Sequence, residues 1–526
     1  MENINLSKKI ENIIKLLSNG LYERENIVAL TLLSAIAGKP IFLYGPPGTA
    51  KSFIAKRISY AFKDSKYFGY LMQRFSTPED IFGPISLEEL KNDRYIRKIE
   101  GYLPDADFAF LDEIWKSSPA ILNTLLTIIN ERIFKNGVNE IKVPLKALIS
   151  ASNETPPEGQ GLEALYDRFI MRLNIKNIKT KDNFEKILQN TELSSFVEID
   201  DNLKISTDEW IEIRKKSNDV KLSKTVIDII HYIKLSIDRF NEDNISSPIY
   251  VSDRRWQHIA YLLKLSAYLS GKEEVDIYDC FIIYNCLWST EEHIEAVKKI
   301  TENAIRRYYN FNDLIDEWKN NFENIKTNID NECFYLEKVY DTENIDDKHY
   351  IAKSFDVVMD EYNNKAETII YIPIKQLQKN GYFYPLDISR NQTKKFRCNF
   401  FGTDKCVVEI NSAIKTNGLL SNRLSKNYEA LFEFEAEYHI KRLNAKKIEK
   451  EKKEKYINLL NDSLLNIDNI ISNIKNNFEI SKNIFMSDEE FNFFREIFDD
   501  YIENLESEKL NAEKLKSEIE NHETIY

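Results

Sequence analysis

Apolar positions fall along this chain in two rhythms. Ile10, Ile13, Ile14 and Leu17 recur at helical spacing, so residues 1–38 read as helices. Residues 40–44 form a short apolar run that reads as a buried strand, and the amphipathic stretch 53–62 reads as the helix after it. A second apolar run, 108–111, precedes a predicted helix over 119–132; a third, 147–152, ends at Asn153. Strands alternating with helices predict a doubly wound parallel sheet. Residues 180–300 read as mostly helical and predict a smaller domain.

The second half has a narrower seam. Phe311, Ile315, Trp318, Phe322 and Ile325 are spaced 4-3-4-3. Ile457, Leu460, Leu464, Ile467, Ile471, Ile474 and Phe478 continue at 3-4-3-4-3-4, and Phe491, Phe494, Phe498, Tyr501 and Leu505 at 3-4-3-4. Alternating threes and fours place one apolar stripe on each helix, which predicts a three-helix bundle. Residues 331–426 differ in texture. The runs 368–372 and 406–410 are strand-like, and Gly381, Pro385, Gly402 and Gly418 punctuate them, so a small β domain is expected as an insert in the bundle. The charge run KRLNAKKIEKEKKEK at 441–455 reads as a solvated helix, with a binding patch as the alternative.

Composition narrows the function classes. The chain has 526 residues, 43% hydrophobic and 30% charged, which fits a globular protein of several domains. Its 72 basic and 85 acidic residues give a net charge of −13, which disfavours general nucleic-acid binding. Five cysteines without C-x-x-C spacing predict neither a disulfide framework nor a zinc site. The polar start MENINLSKKIENI is not a signal peptide, and no apolar run reaches the roughly 18 residues of a membrane span. A cytoplasmic setting is expected.

The chemistry sits at the strand ends. Gly45-Pro46-Pro47-Gly48-Thr49-Ala50-Lys51-Ser52, between a strand and a helix, is a Walker A loop for ATP. Small residues let backbone N–H groups curl around phosphates, Lys51 reaches the β and γ phosphates, and Ser52 ligates Mg²⁺. Ala50 stands where the pattern has its second glycine, a departure a helix entry tolerates. Asp112 and Glu113, after four apolar residues, fit Walker B: Asp112 near the metal, Glu113 polarising the attacking water.

The segments FSTPEDIFGPIS (75–86), GYLPDADFAFLDEIWKSSPAILNTLLTIINER (101–132), ASNETP (151–156), LYDRF (165–169) and YVSDRRW (250–256) resemble, in order and spacing, the MoxR family of AAA+ ATPases, in particular its RavA subgroup. The resemblance is motif-level over about 20–300 and rests on layout beyond. It implies that Asn153 is sensor 1, that Arg168 is an arginine finger acting on the next subunit's ATP, with Arg172 the rival, and that Arg254 is sensor 2, with Arg255 the rival. It implies an extra helix or hairpin within 87–102, a ring, usually a hexamer, and a von Willebrand factor A (vWA) domain partner. The implied fold is an α/β AAA+ P-loop core with an all-α lid, plus a C-terminal helical bundle interrupted by a small β domain. Expected bounds are 1–179 for the core, 180–299 for the lid, 300–330 with 427–526 for the bundle, and 331–426 for the insert. The implied activity is ATP-driven, chaperone-like remodelling. A nucleic-acid-associated AAA+ motor and a magnesium-chelatase-type subunit are the alternatives.

Overall fold

A computed structural model describes residues 2–157, 161–189, 194–309, 312–358, 365–411, 428–480 and 483–525. Phe311 and Gly418 lie outside the described residues. The chain forms two compact units: residues 1–312 with 470–505, and residues 313–469 with 506–526.

The first unit is built on strands β1 (Ile41–Tyr44), β2 (Tyr67–Leu71), β3 (Phe108–Asp112), β6 (Ala147–Ser152) and β7 (Met171–Asn174). They form a parallel sheet in the order β2-β3-β6-β1-β7. β6 is buried along its whole length and β1 as far as Leu43, because helices cover both faces of a sheet of this kind. A hairpin of β4 (Ile133–Asn136) and β5 (Asn139–Lys142) stands apart from it. The helices of the core are α1 (Glu2–Ser18), α2 (Glu25–Ala37), α3 (Lys51–Tyr60), the short α4 (Pro78–Phe82) and α5 (Leu87–Leu90), then α6 (Pro119–Glu131) and the one-turn α7 (Glu163–Tyr166). The expected extra element before Walker B is α5 and a loop returning through the Ile85–Arg97 bridge. Asn136 holds that loop by hydrogen bonds to the Arg97 backbone, its Oδ1 2.7 Å from the amide and its Nδ2 3.0 Å from the carbonyl.

The lid follows as α8 (Lys181–Gln189), α9 (Thr207–Ser217), α10 (Lys224–Asp243), α11 (Asp253–Leu269) and α12 (Glu291–Tyr308), with a 3₁₀ stretch Ile277–Cys286 and a small parallel pair, β8 (Lys221–Leu222) and β9 (Glu274–Val275). Residues 470–505 pack on it. The Phe494 ring lies 4.6 Å from Tyr278 and 5.2 Å from Phe281, and Asn483 donates to Ser266 Oγ at 2.8 Å and to the buried Asp279 carboxylate. Burial pushes that carboxyl up to about 7, against the pull of the Lys272 ammonium.

The second unit contains most of α13 (Asn312–Cys333) and the outer parts of the long helices α14 (Lys450–Ile480) and α15 (Asp488–Glu520). The seam residues Trp318, Phe322, Leu460 and Ile467 are buried, and Trp318 Nε1 donates to Ser463 O at 2.9 Å. Between α13 and α14 the chain forms a ribbon and two three-stranded sheets. β10 (Phe334–Tyr340) runs out; β11 (Glu343–Ile345), β12 (Lys348–Val358) and β13 (Lys365–Pro373) form one sheet; β14 (Phe396–Asn399), β15 (Lys405–Asn411) and β16 (Tyr428–Glu435) form the other; β17 (Tyr438–Ala445) returns antiparallel to β10. Ile351, Ile370, Ile372, Phe396, Cys406 and Val408 make the core of this region.

The expected boundary at 426 is therefore too early: β16 and β17 lie beyond it, and residues 441–445 of the charge run are strand, with the helix starting only at Lys450. The reason is physical. A two-stranded ribbon solvated on both faces needs no apolar alternation, and Tyr438, Ile440 and Leu443 are all exposed. All five cysteines are buried free thiols, and no helix among the described residues is long and apolar enough to cross a membrane.

Candidate functional site: two edges of one sheet

The C-terminal ends of β1, β3 and β6 converge. Gly45 leaves β1 at φ 156, and its N–H donates to Ser152 O at 3.1 Å. A Cβ there would stand 2.3 Å from Ile175 O, so only glycine fits. Thr49 Oγ1 closes the loop onto Pro46 O at 2.8 Å, while Pro46, Pro47 and Gly48 stay exposed. The buried Lys51 curls back, its Nζ donating to Gly45 O at 2.7 Å and to Pro46 O at 2.9 Å. Its amine thus lies over the loop where a polyphosphate would be cradled. Ala50 enters α3 at φ 68, a left-handed conformation that costs a residue with a Cβ about 1–2 kcal/mol. It is tolerated, but not because the helix entry is neutral to the side chain.

Asp112 ends β3 half-buried. Burial raises its carboxyl pKa while the Lys51 charge opposes the rise; burial likewise lowers the Lys51 amine, against Asp112 and Glu113. These three groups therefore share one field. Glu113 turns at φ 53, accepts from Ser152 Oγ at 3.4 Å and pairs with Lys116 at 3.2 Å, a partner with no sequence signal. Asn153 is exposed directly after β6 and Ser52 is exposed on the first turn of α3. The Ser52 hydroxyl and Asp112 carboxylate are hard oxygen donors, the set Mg²⁺ takes. These residues, which the sequence separates by up to 108 positions, fit a Mg²⁺–ATP site.

The arginines stand at the other end of the strands. Arg168 precedes β7 and Arg254 lies on the first turn of α11; both reach Asn130 Oδ1, Arg168 Nε at 3.2 Å and Arg254 Nη2 at 3.0 Å. Asn130 closes α6, and nothing in its local sequence marks it as their meeting point. Arg254 Nε also meets His258, whose other nitrogen is 3.0 Å from Lys39 Nζ, just before β1 begins. Four residues of strand, about 13 Å, plus both flanks separate this edge from Gly45. Arg254 therefore stands at the edge opposite the P-loop of its own chain.

The rival arginines are sealed. Arg172 is fully buried, stacked over Tyr166 at 3.7 Å, and donates to the carbonyls of Tyr166, Phe169 and Trp288. Arg255 is 2% exposed and pairs with Asp167 at 3.0 Å, so Asp167 is the partner of Arg255 and not of Arg168. Trp115, two residues past Glu113, joins the edges by packing on Phe42, Tyr166 and Phe169 at 5.4, 5.6 and 6.2 Å.

A five-stranded parallel sheet of this order, with a phosphate loop at its middle strand and a helical lid, defines an AAA+ P-loop ATPase. Residues 8–215 match the family described as the MoxR domain in the MoxR–vWA–beta-propeller ternary systems, and residues 225–301 match an AAA lid domain family. The chain is 36% identical over 301 residues to the uncharacterised protein MJ0079 of Methanocaldococcus jannaschii, covering 57% of this chain and 75% of that protein. It is 38% identical over 293 residues to MJ0812 of the same organism, covering 55% and 74%. A solved structure of a candidate ATPase from Cytophaga hutchinsonii is similar at a TM-score of 0.46 and 19% identity, over 58% of this chain and 95% of that one. The chain belongs to the MoxR family of AAA+ ATPases.

Proposed function

We propose that the protein hydrolyses ATP in a ring, a hexamer in keeping with its family, and uses the cycle to remodel a protein complex together with a vWA-domain partner. The observation that carries this reading is the separation of the two edges. Lys51, Ser52, Asp112, Glu113 and Asn153 converge at one end of the sheet, while the accessible Arg168 and Arg254 stand at the other. A chain so built completes its site by offering its arginine edge to the next chain's nucleotide.

In that arrangement the loop N–H groups and Lys51 hold the phosphates. Ser52 and Asp112 would hold Mg²⁺, which when bound would neutralise phosphate charge. Glu113 orients and deprotonates the attacking water, and Asn153 steadies it. Arg168 and Arg254 meet the charge that develops on the γ-phosphoryl group of the neighbour's ATP. A charge of −13 per chain opposes assembly, so salt and nucleotide both favour the ring.

The name of the family matched by residues 8–215 supports the vWA partner. The long helices interrupted by a β-rich segment support the RavA-like layout, with that segment as the adaptor. Glu113→Gln tests the reading. The variant is expected to bind ATP yet hydrolyse it at least about 10²-fold more slowly. Held in ATP it should co-elute with a purified vWA protein of the same source, and not in ADP. Near-normal turnover would remove Glu113 from its role, and co-elution indifferent to nucleotide would remove the coupling to the partner.

A further inference from the structure

His258 sits on α11 one turn past Arg254, with a basic group at each ring nitrogen. Arg254 Nε donates to its Nε2 at 3.4 Å, and Lys39 Nζ lies 3.0 Å from its Nδ1. Burial first, then the charges of Lys39 and Arg254, lower the imidazole pKa to about 4, so the ring is neutral near pH 7. A neutral imidazole has one N–H and one lone pair, so it accepts from only one of its two neighbours. Arginine always donates. When Arg254 holds Nε2, Nδ1 therefore carries the proton and Lys39 accepts it as a neutral amine. When Lys39 is an ammonium it claims Nδ1, the ring proton sits on Nε2, and that N–H faces the Arg254 N–H.

Lys39 is crowded by like charge. The guanidinium groups acting on it are Arg214 of α9, Arg132 just past α6 and Arg254 of α11, and the Tyr261 ring lies 5.5 Å from its amine. Arg132 is tied to the Gly38 carbonyl at 2.8 Å, and Arg214 stacks on Trp210. Among the described residues none of these four cations is ion-paired. The carboxylate acting on His258 is Asp167, which is itself paired with Arg255. Burial, then the three arginines, bring the Lys39 amine down to about 8. Both arrangements of the Lys39–His258–Arg254 line are therefore populated near neutral pH.

A polyphosphate brought to this edge shifts the balance, because negative charge favours the ammonium over the amine. We infer that Lys39 and His258 are positioning residues for Arg254, holding its guanidinium on its own chain while Lys39 is neutral and releasing it to the neighbouring chain's nucleotide when Lys39 is protonated. This rests on the reading that Arg254 acts across the interface. The released state takes up one proton from water. Below about pH 8 Lys39 is already charged and release is complete; as pH rises past that value the proton must be taken up, and engagement weakens.

The test is the ratio of turnover with Arg254 to turnover with Arg254→Ala, measured in the full chain at saturating ATP from about pH 7 to about pH 9.5. The ratio cancels every group that acts independently of Arg254. Without further change it should fall about tenfold over this range, the worth of one hydrogen bond to a charged group. In a Lys39→Arg background, charged throughout, the ratio should stay high at every pH. In a Lys39→Met background it should stay low at every pH, because the imidazole is left to Arg254. His258→Phe should abolish the fall, and the two Lys39 variants carry the test if that variant does not fold. A ratio that ignores pH in the otherwise unaltered chain, or a Lys39→Arg profile that still falls like it, would overturn the inference. A ratio near one at pH 7 would instead remove Arg254 from the interface, so the two failures are told apart.

Discussion

The two ends of the central sheet are built on different terms. At the P-loop edge Gly45 is held by the backbone of β6, Lys51 by loop carbonyls, and Glu113 by Ser152 and Lys116. At the arginine edge, Arg172 and Arg255 are buried in structure, whereas Arg168 and Arg254 share the amide oxygen of the exposed Asn130, Arg168 also donating to Ala164 O at 2.5 Å and Arg254 to His258. The sealed arginines are fixed in place; the two accessible ones can exchange Asn130 for a stronger acceptor. A phosphate oxygen is such an acceptor, because hydrogen bonds between ionised groups are about twice as strong as neutral ones. On the proposed reading, that difference makes chemistry and assembly one event.

The largest effect is expected at the P-loop edge. Lys51→Ala removes the cation that faces the phosphates, and binding of a fluorescent ATP analogue should fall below detection; retained binding would detach Lys51 from the site. Next in size is Arg168→Ala. It should lower ATP turnover by on the order of 10³-fold while leaving ATP affinity within a few-fold, because a finger acts on another chain's nucleotide. Arg254→Ala should show the same split at about 10²-fold, the size of losing one charge-stabilising donor. A rise in Kd for ATP with either variant would place that arginine at its own P-loop and break the comparison.

A smaller effect is expected from surgery at neither edge. Tyr340 and Tyr438 are paired across the ribbon, so residues 341–437 can be replaced by an Asn-Gly turn without disturbing register. Turnover should stay within about twofold, since both edges belong to the other unit, while association with the vWA partner is lost. Collapse of turnover would show that the β-rich segment supports the sheet. The smallest effect is at Ala50. Ala50→Gly relieves the left-handed strain, and denaturant unfolding should show a gain of about 1 kcal/mol, with turnover changed by no more than a few-fold.

How much of this was legible in the sequence differs by edge. Gly45 to Ser52 is one contiguous stretch whose function depends on local backbone geometry, so spacing alone marked it, and Asp112-Glu113 followed from an apolar run. The arginine edge depends on tertiary packing. Which of Arg168 and Arg172, or Arg254 and Arg255, is sealed depends on Trp288, Asp167 and Tyr166, and no periodicity encodes those contacts. That Arg254 faces away from its own P-loop is likewise a property of where α11 starts. In the tail, the seams of α13 to α15 were legible because a buried stripe forces period 3.5, whereas the solvated ribbon of β10 and β17 carries no such constraint.

The claim that the two edges meet across chains is tested most directly by mixing. Lys51→Ala chains bind no ATP but offer Arg168, while Arg168→Ala chains bind ATP but offer no arginine at that position. Each alone should be inactive. Mixed in equal amounts under conditions that assemble rings, they should regain turnover at every interface where a Lys51→Ala chain faces an Arg168→Ala chain's ATP. If mixed rings form, as shown by co-purification of differently tagged chains, and turnover never exceeds the sum of the separate preparations, then Arg168 does not act across the interface and the account is wrong at its centre.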